Sequence, residues 1–252
     1  MIALKFPPIN EVLRWRDIFP SFNKIALIAV LAVAITTLVF WLAGRKDPLK
    51  APTGVRNLAE VTVEFIENGI VMQTMGKQGL KWTPFLLTLF CFIYLCNVPG
   101  IIPIFQMPAT ARMAIPMFLA LVVWLVFHGA GIKAQGVGHY FKNMVIPPGV
   151  PKAMLPLVAL IEFVSTVLVR PFSLAVRLFA NMLAGHILLV TFAVLTHSLV
   201  TAEDIPLIPM SVLPFAMLTF LTGFEVLVAF LQAYIFVILT AVYIGGAEHP
   251  EH

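Results

Sequence analysis

The stretch LPLVALIEFVSTVLVRPFSLAVRLFANMLAGHILLVTFAVL, residues 155–195, is almost entirely apolar over 41 residues. The segment around it, 152–197, has 46 residues and would form a continuous helix about 69 Å long at 1.5 Å per residue. The C-terminal segment, 206–246, has 41 residues and would reach about 61 Å. Both lengths are about twice the ~30 Å hydrocarbon core of a bilayer. The two segments therefore predict a membrane protein with unusually long helices.

Two geometries fit segments of this length. Each segment either folds back into two short spans or forms one long, strongly tilted helix. Folding back requires a turn near residues 170–177, where Pro171 is the one structure-breaking residue and no Gly, Asn or Asp is present. Because a proline can kink a helix without ending it, we favour long tilted helices. Ordinary spans tilt by about 20° from the bilayer normal. Helices that are tilted much more strongly suggest that they wrap around a neighbouring structure.

Composition places the remainder of the chain in the membrane as well. Of 252 residues, 60% are hydrophobic and 11% are charged, whereas about a quarter of a soluble domain is charged. Further apolar segments at 25–42, 85–105 and 114–127 predict an all-α integral membrane protein in which residues 1–252 form a single membrane domain. The net charge of +4 lies mostly in loops without interleaved aromatic residues, which favours contact with lipid head groups over nucleic acid.

The segments outside the long helices predict a simple layout. The N-terminal segment 1–24 lacks the pattern of a signal peptide, so 25–42 is expected to be a retained, steep span. Residues 55–75 place glutamates on one helical face and apolar residues on another, which predicts an amphipathic helix on the membrane surface or against another subunit. A hairpin of two helices is expected over 84–130.

Four charged side chains lie inside the apolar segments: Glu162, Arg170, Arg177 and Glu225. At the bilayer centre each of them costs at least about 2.5–3.5 kcal/mol unless it is paired or solvated. Each is therefore a candidate functional residue.

One face of the first long helix is polar. With Arg177 at zero and 100° per residue, Arg170 falls at about 20° and Asn181 at about 40°. Ser173 and Glu162 fall on the other side of Arg177, at about −40° and −60°. A face of this kind requires water or a close-packed partner rather than lipid.

The second long helix offers a matching face. Glu225 and Gln232 are seven residues apart and share one side, whereas His186 lies opposite Arg177 on the first long helix. A structural alternative is a buried ion pair of Arg177 with Glu162 or Glu225, with His186 and the amides as ordinary hydrogen-bonding groups. Taken together, carboxylates, a histidine, amides and an arginine at membrane depth are typical of a proton relay.

Three motifs resemble those of subunit a of F-type ATP synthases. The sequence RPFSLAVRLFANMLAGH at 170–186 resembles the family signature, LQAYIFVILTAVY at 231–243 resembles its C-terminal motif, and NVPGIIP at 97–103 resembles the loop after its second span. The motifs follow the family's order, and the resemblance extends over about residues 83–243. It implies two long, nearly horizontal helices that cradle a ring of rotor subunits.

The resemblance also implies a role for individual residues. Arg177 matches the essential stator arginine, and His186 and Glu225 match positions whose residue types can be exchanged, which suggests that they are neighbours. One proton half-channel is implied for Asn181, His186, Glu225 and Gln232. Glu162 resembles a carboxylate of the second half-channel, although its spacing to Pro171 is one residue longer than usual. The supporting positions are Arg170, Ser173 and Tyr243.

A proton-conducting stator subunit without catalytic activity is the function that the resemblance implies. Its expected partners are a rotor ring of small hairpin subunits, peripheral stalk subunits, the lipid bilayer and, indirectly, a soluble catalytic head. No cofactor or metal is expected, because there is no Gly-rich phosphate loop and the spacing of Cys91 and Cys96 fits neither a metal motif nor a disulfide framework.

A multi-pass protein of a bacterial inner (plasma) membrane is expected, with the N-terminus outside and the C-terminus in the cytoplasm. In this orientation the inner segments, 45–81 and 131–152, hold nine Lys or Arg residues and the outer segments hold five. The rival functions fit less well. A secondary transporter commonly has repeated halves, a scaffold does not need four intramembrane charges, and an intramembrane hydrolase needs a metal or nucleophile set.

Overall fold

The computed structural model describes residues 23–45, 51, 53–102, 107–145, 154–201 and 209–248. Every regular element in these ranges is a helix. The main helices are α1 (Lys24–Gly44), α2 (Val55–Ile66), α3 (Thr83–Asn97), α4 (Ala114–Gln135), α5 (Val137–Val145), α6 (Leu155–Val200) and α7 (Val212–Glu248). Among the described residues, five helical segments are long and apolar enough to cross a membrane, which confirms the predicted all-α membrane protein.

The first helix, α1, presents most of its apolar surface outward. Asn23 begins it by accepting a hydrogen bond from the Ala26 amide at 3.0 Å. Only Ile25, Ile28 and Ala32 are buried, against α3 and the loop before α4. Most of the remaining apolar side chains of α1 are exposed, as is typical of a helix long and apolar enough to cross a membrane. The helix begins and ends within two residues of the predicted bounds, 25–42.

The predicted amphipathic segment, 55–75, is helical from Val55 to Thr74. Helix α2 continues through a π-turn at Glu67–Val71 and one further turn. Its buried residues, Ala59 and Ile66, face α1 and α3, whereas its glutamates are partly or fully exposed. A short 3-10 helix, Gly76–Trp82, then leads into α3. Its position on a membrane surface stays a prediction.

Helices α3 and α4 form the expected hairpin, and their connection is tied to α7. Asn97, which is 1% exposed, accepts a hydrogen bond from the Thr110 hydroxyl and donates one to the Ala229 carbonyl at 3.3 Å. Gly100 allows the loop to close, because a Cβ at this position would lie 2.7 Å from the Pro108 ring. Helix α4 continues to Gln135, past the predicted end at residue 130. Residues 103–106 lie outside the described part of the chain.

The two long segments are long helices rather than pairs of short spans. Helix α6 is helical without interruption for 46 residues, and the C-terminal helical segment, Pro209–Glu248, for 40. The tilt of each helix in the membrane stays a prediction. A π-turn at Ser165–Val169 precedes Pro171 in α6. Proline has no N–H to donate and its ring displaces the preceding carbonyls, so a wider turn accommodates it without breaking the helix. The π-turn lies between Glu162 and Pro171.

The core lies among α3, α4, α6 and α7. It is built from fully buried aliphatic and aromatic side chains, including Leu86, Ile93, Val123, Phe127 and Ile244. Helix α7 contributes small residues, since Ala229, Ala233 and Ala241 are all completely buried. In a membrane, helices associate by close packing of their surfaces rather than by escape from water, and small residues permit that approach. This packing places the inner side of α7 directly against α6.

Candidate functional site

The outward face of α6 carries an uncovered stripe with an arginine. The exposed residues at helical spacing are Arg177, Ala180, Asn181, Ala184 and Leu188. The other side of α6 is buried in the core through Leu174, Leu178 and Met182. The side chains around the arginine are therefore short, so the surface is open to a close-packed neighbour.

Arg177 has no acidic partner in the part of the chain that the structure describes. Neither Glu162 nor Glu225 lies within the 4.0 Å that defines an ion pair. The buried ion pair considered as an alternative is absent from this structure.

A cavity between α6 and α7, the α6–α7 cavity, joins three of the predicted half-channel residues. Its volume is ≈ 300 Å³, and Asn181, Glu225 and Gln232 all line it. Glu225 and Gln232 are buried on the same face of α7, as their spacing of seven residues predicts, and Ala229 lies between them. The expected meeting of the polar faces of the two long helices is thus present in the structure.

Glu225 is held close to the backbone of α6. Its side chain is buried, and a Cβ at Gly185 would lie only 3.1 Å from its Oε1 atom. Its other oxygen, Oε2, is buried without a hydrogen-bond partner among the described residues. A buried carboxyl oxygen needs a donor or a proton to offset the loss of water. The cavity beside it has room for water that would supply the donor.

His186 lies next to this cavity without lining it. The side chain is 4% exposed on the core side of α6, opposite Arg177 as the helical spacing predicts. Within the described ranges no hydrogen bond or ion pair joins His186 to Glu225. A Cβ at its chain neighbour Gly185 would lie 3.1 Å from Glu225 Oε1, so α7 brings Glu225 close to the part of α6 that carries His186. A direct contact between the two side chains stays a prediction.

A second, smaller cavity lies where α4, α5 and α6 meet, and we call it the α4–α6 cavity. Its volume is ≈ 150 Å³, and the predicted residues Glu162 and Arg170 line it together with Thr166. The Arg170 guanidinium carbon is 5.3 Å from the centroid of the Tyr243 ring, which is a cation–π distance. Arg170 therefore faces α7, although its spacing places it on the same stripe as Arg177.

Polar residues of α4 and α5 complete the wall of the α4–α6 cavity. Asn143 Nδ2 donates a hydrogen bond to Gln135 Oε1 at 2.8 Å, and Gln135 Nε2 donates one to the Ala247 carbonyl at 2.8 Å. Sequence reasoning missed both amides, because they lie in the segment 131–152, which was interpreted as a loop. Their position just after an apolar segment is a signal that could have identified them.

Tyr140 fixes α5 against α4. Its hydroxyl lies 2.7 Å from Nδ1 of His128, and its ring covers Gly131, where a Cβ would be only 2.2 Å away. Burial raises the pKa of the Tyr140 phenol to about 12, so the hydroxyl keeps its proton at neutral pH. This pair, too, was missed by sequence reasoning, because His128 and Tyr140 are twelve residues apart on separate helices.

The two remaining predicted positions, Ser173 and Tyr243, are half-buried. The centroid of the Tyr243 ring lies 6.0 Å from the centroid of the Phe127 ring. Tyr243 therefore lies between the core and Arg170. Over the described ranges, no three His, Cys, Asp or Glu side chains gather as metal ligands would. The polar groups that the structure brings together are suited to hold water and protons.

The chain matches the sequence model of a protein family described as ATP synthase A chain over residues 26–245. The chain belongs to the ATP synthase A chain family. Three bacterial relatives, each named ATP synthase subunit a, show the extent of the similarity. The protein of Frankia alni is 44% identical over 91% of this chain and 79% of its own length, and that of Streptomyces lividans is 40% identical over 92% and 81%. The protein of Maricaulis maris is 39% identical over 92% and 90%.

Membership of the ATP synthase A chain family confirms the resemblance seen in the three motifs. It makes this chain a subunit of the membrane sector, Fo, of an ATP synthase, whose function implies proton translocation. The matched region contains α2 to α5, the whole of α6 and nearly all of α1 and α7. A bacterial plasma membrane fits both the relatives and the five apolar helical segments.

Proposed function

We propose that this chain is the proton-conducting stator subunit of a rotary ATP synthase and that Arg177 controls the charge of a carboxylate on the rotor. The observation that supports this role is an exposed arginine, without an acidic partner among the described residues, beside the short side chains of Ala180 and Ala184. Arg177 is seven residues from Arg170 of the α4–α6 cavity and four from Asn181 of the α6–α7 cavity. These separations correspond to about 10 Å and 6 Å along the helix.

The mechanism depends on the charge of a carboxylate that moves between two environments. A rotor carboxyl group that faces lipid favours the protonated form, because hydrocarbon does not solvate its charge. When it reaches Arg177, the guanidinium stabilises the ionised form and the proton leaves. Arginine suits this role better than lysine, since burial can remove the proton of a lysine ammonium group.

Each cavity supplies one side of the proton path in this proposal. The α6–α7 cavity forms one half-channel, in which Glu225 exchanges protons, Asn181 and Gln232 hold water, and His186 supports the path from behind. The α4–α6 cavity forms the other, with Glu162 as its carboxylate and Arg170, Ser173 and Tyr243 as supporting groups. This set of carboxylates, amides and a histidine favours protons over sodium ions.

Rotation follows because the two half-channels are offset along α6. Arg177 lies between them and repels a proton that would pass directly from one to the other. A proton must instead travel on the rotor, and a charge that crosses the membrane releases about 2.3 kcal/mol per 100 mV. The rotor ring, a peripheral stalk and a soluble catalytic head are the partners of this mechanism. The chain itself performs no nucleotide chemistry, and its N-terminus is outside and its C-terminus in the cytoplasm.

Replacement of Arg177 tests the proposal. The variants Arg177→Ala and Arg177→Lys should both abolish proton-driven ATP synthesis by the complete enzyme in membrane vesicles, since neither provides a permanent charge. The matched control is Arg45→Lys, at the end of α1, which should retain the wild-type rate. Wild-type synthesis in either Arg177 variant would refute the proposal, provided that the complex contains all its subunits.

A further inference from the structure

A third cavity lies where the beginning of α3 and the ends of α4 and α7 meet. With a volume of ≈ 620 Å³, it is larger than the two cavities assigned to the proton path. Three of its lining residues are Lys81, Trp82 and Glu248, and three more, on α4, are Val126, Gly129 and Lys133. All of these helix ends lie at one surface of the molecule. The groove formed by these six residues, the α3–α4 groove, takes no part in the proposed proton path.

The charges of the α3–α4 groove leave one lysine available. The Glu248 carboxylate is already satisfied, because its Oε1 accepts from the Lys81 ammonium group at 2.8 Å and from the Trp82 indole N–H at 3.2 Å. Lys133 has no ion-pair partner among the residues that the structure describes. Among the described lining residues, two ammonium groups face one carboxylate, so this lining carries a net positive charge.

The floor of the groove is apolar and open. Val126, Gly129 and Lys133 lie on one face of α4 at helical spacing, and the exposed Leu125 continues this surface toward the middle of the span. A Cβ at Gly129 would meet nothing within 4 Å, so this part of the groove is unfilled. The cationic end and the apolar length of the groove therefore fit a ligand with an anionic head and a hydrocarbon tail.

We propose that the α3–α4 groove binds an anionic phospholipid such as phosphatidylglycerol. Its phosphate would pair with Lys133 and its acyl chain would lie on Gly129 and Leu125. A tryptophan and lysines at the ends of apolar helices mark the head-group region, where anionic lipid is concentrated. A phospholipid fits this site better than a helix from another subunit, because it supplies one anionic group for Lys133 and an apolar chain for the exposed surface at Gly129 and Leu125.

Two substitutions test this binding site by different means. Lys133→Gln removes the lysine charge, whereas Gly129→Leu places a larger side chain on the open surface at this position, where a Cβ would meet nothing within 4 Å. The complete ATP synthase is purified in detergent, mixed with equal amounts of phosphatidylglycerol and phosphatidylcholine, washed, and analysed for retained lipid by native mass spectrometry. We expect Lys133→Gln to retain about fivefold less phosphatidylglycerol, the effect of about one lysine near an anionic lipid. Gly129→Leu should also retain less, because its side chain occupies the space of the acyl chain.

The controls are matched in charge and size. Lys142→Gln removes an exposed lysine of α5 that does not line the groove, and Gly138→Leu adds the same leucine side chain at a glycine of α5 that lies outside the groove and where a Cβ would meet nothing within 4 Å. Both should retain wild-type amounts of phosphatidylglycerol. Equal retention of the two lipids by the wild-type complex, or unchanged retention in both test variants, would overturn the proposal. Loss of another subunit from the Gly129→Leu complex would also overturn it, because the groove would then be a protein interface.

Discussion

Glu225 shows how one small neighbour positions a buried acid. Its carboxyl group approaches the backbone of α6 because residue 185 has no side chain, and this approach places one carboxyl oxygen beside the α6–α7 cavity. A carboxyl group in a tight apolar wall has few other positions available. Gly185 thus determines where a proton could be exchanged.

Substitution of Gly185 by alanine should therefore reduce proton-driven ATP synthesis. The new Cβ would lie 3.1 Å from Glu225 Oε1, so the carboxyl group must move by a few tenths of an ångström. We expect a loss of roughly two- to tenfold in the rate, measured in inverted membrane vesicles. The control is Gly223→Ala, two residues before Glu225 on α7, where a Cβ would meet nothing within 4 Å. An unchanged rate for Gly185→Ala would show that the position of this carboxyl group does not matter.

Exchange of His186 and Glu225 should preserve more function than the loss of either residue. Both positions are buried beside Gly185, one on each long helix, so the exchanged pair keeps one imidazole and one carboxyl group near the same water. The measurement compares the double variant His186→Glu, Glu225→His with His186→Ala and Glu225→Ala in ATP-driven proton pumping. If the double variant is no more active than the single variants, the two residues do not share one path.

At the scale of elements, α6 remains continuous although it contains a proline. The π-turn at Ser165–Val169 takes up the disturbance that Pro171 causes, so the helix continues from one cavity to the other. A π-turn also rotates the residues before it relative to those after it. The position of Glu162 relative to Arg177 therefore cannot be read from a uniform 100° per residue.

The packing of α5 on α4 depends on a glycine. A Cβ at Gly131 would lie 2.2 Å from the Tyr140 ring, so Gly131→Ala must displace that ring and disturb its hydrogen bond to His128. Such overpacking costs about 1–3 kcal/mol. We expect a lower thermal unfolding temperature of the purified complex and faster proteolysis of α5. The matched control is Gly129→Ala, two residues earlier on α4, where the added methyl group meets nothing within 4 Å. Equal stability of the two variants would contradict this prediction.

At the scale of the whole molecule, the exposed stripe on α6 needs a neighbour. Ala180 and Ala184 are exposed beside Arg177, and a lipid-facing surface would not present an unpaired charge. A cysteine at Ala184 should therefore form a cross-link with a cysteine on the rotor subunits in membranes. The control is a cysteine at Val33, which is 54% exposed on α1. Cross-linking from Val33 but not from Ala184 would place the rotor on another face of the molecule.

Much of the fold could be predicted from hydrophobic length and periodicity. The predicted segments, 152–197 and 206–246, differ by only a few residues from the long helices of the structure. An apolar segment without turn residues can satisfy its backbone hydrogen bonds in lipid only by forming a helix. The shared face of Glu225 and Gln232 also followed from their spacing within one helix. The roles of four residues could not be predicted, because each role depends on contacts between separate helices. These residues are Gln135, Asn143, His128 and Tyr140.

The sequence by itself determined that the long apolar segments are helical and which side of the two long helices is polar, since both properties depend on neighbours within a few turns of the chain. Only the tertiary structure decided that Arg177 has no acidic partner among the described residues, that Glu225 lies against Gly185, and that Lys133 borders an open groove. Those facts depend on how closely separate helices approach one another. The physical reason is that helix packing in a membrane depends on small residues and on the shapes of the helix surfaces. The residues that come into contact are dozens of positions apart in the sequence.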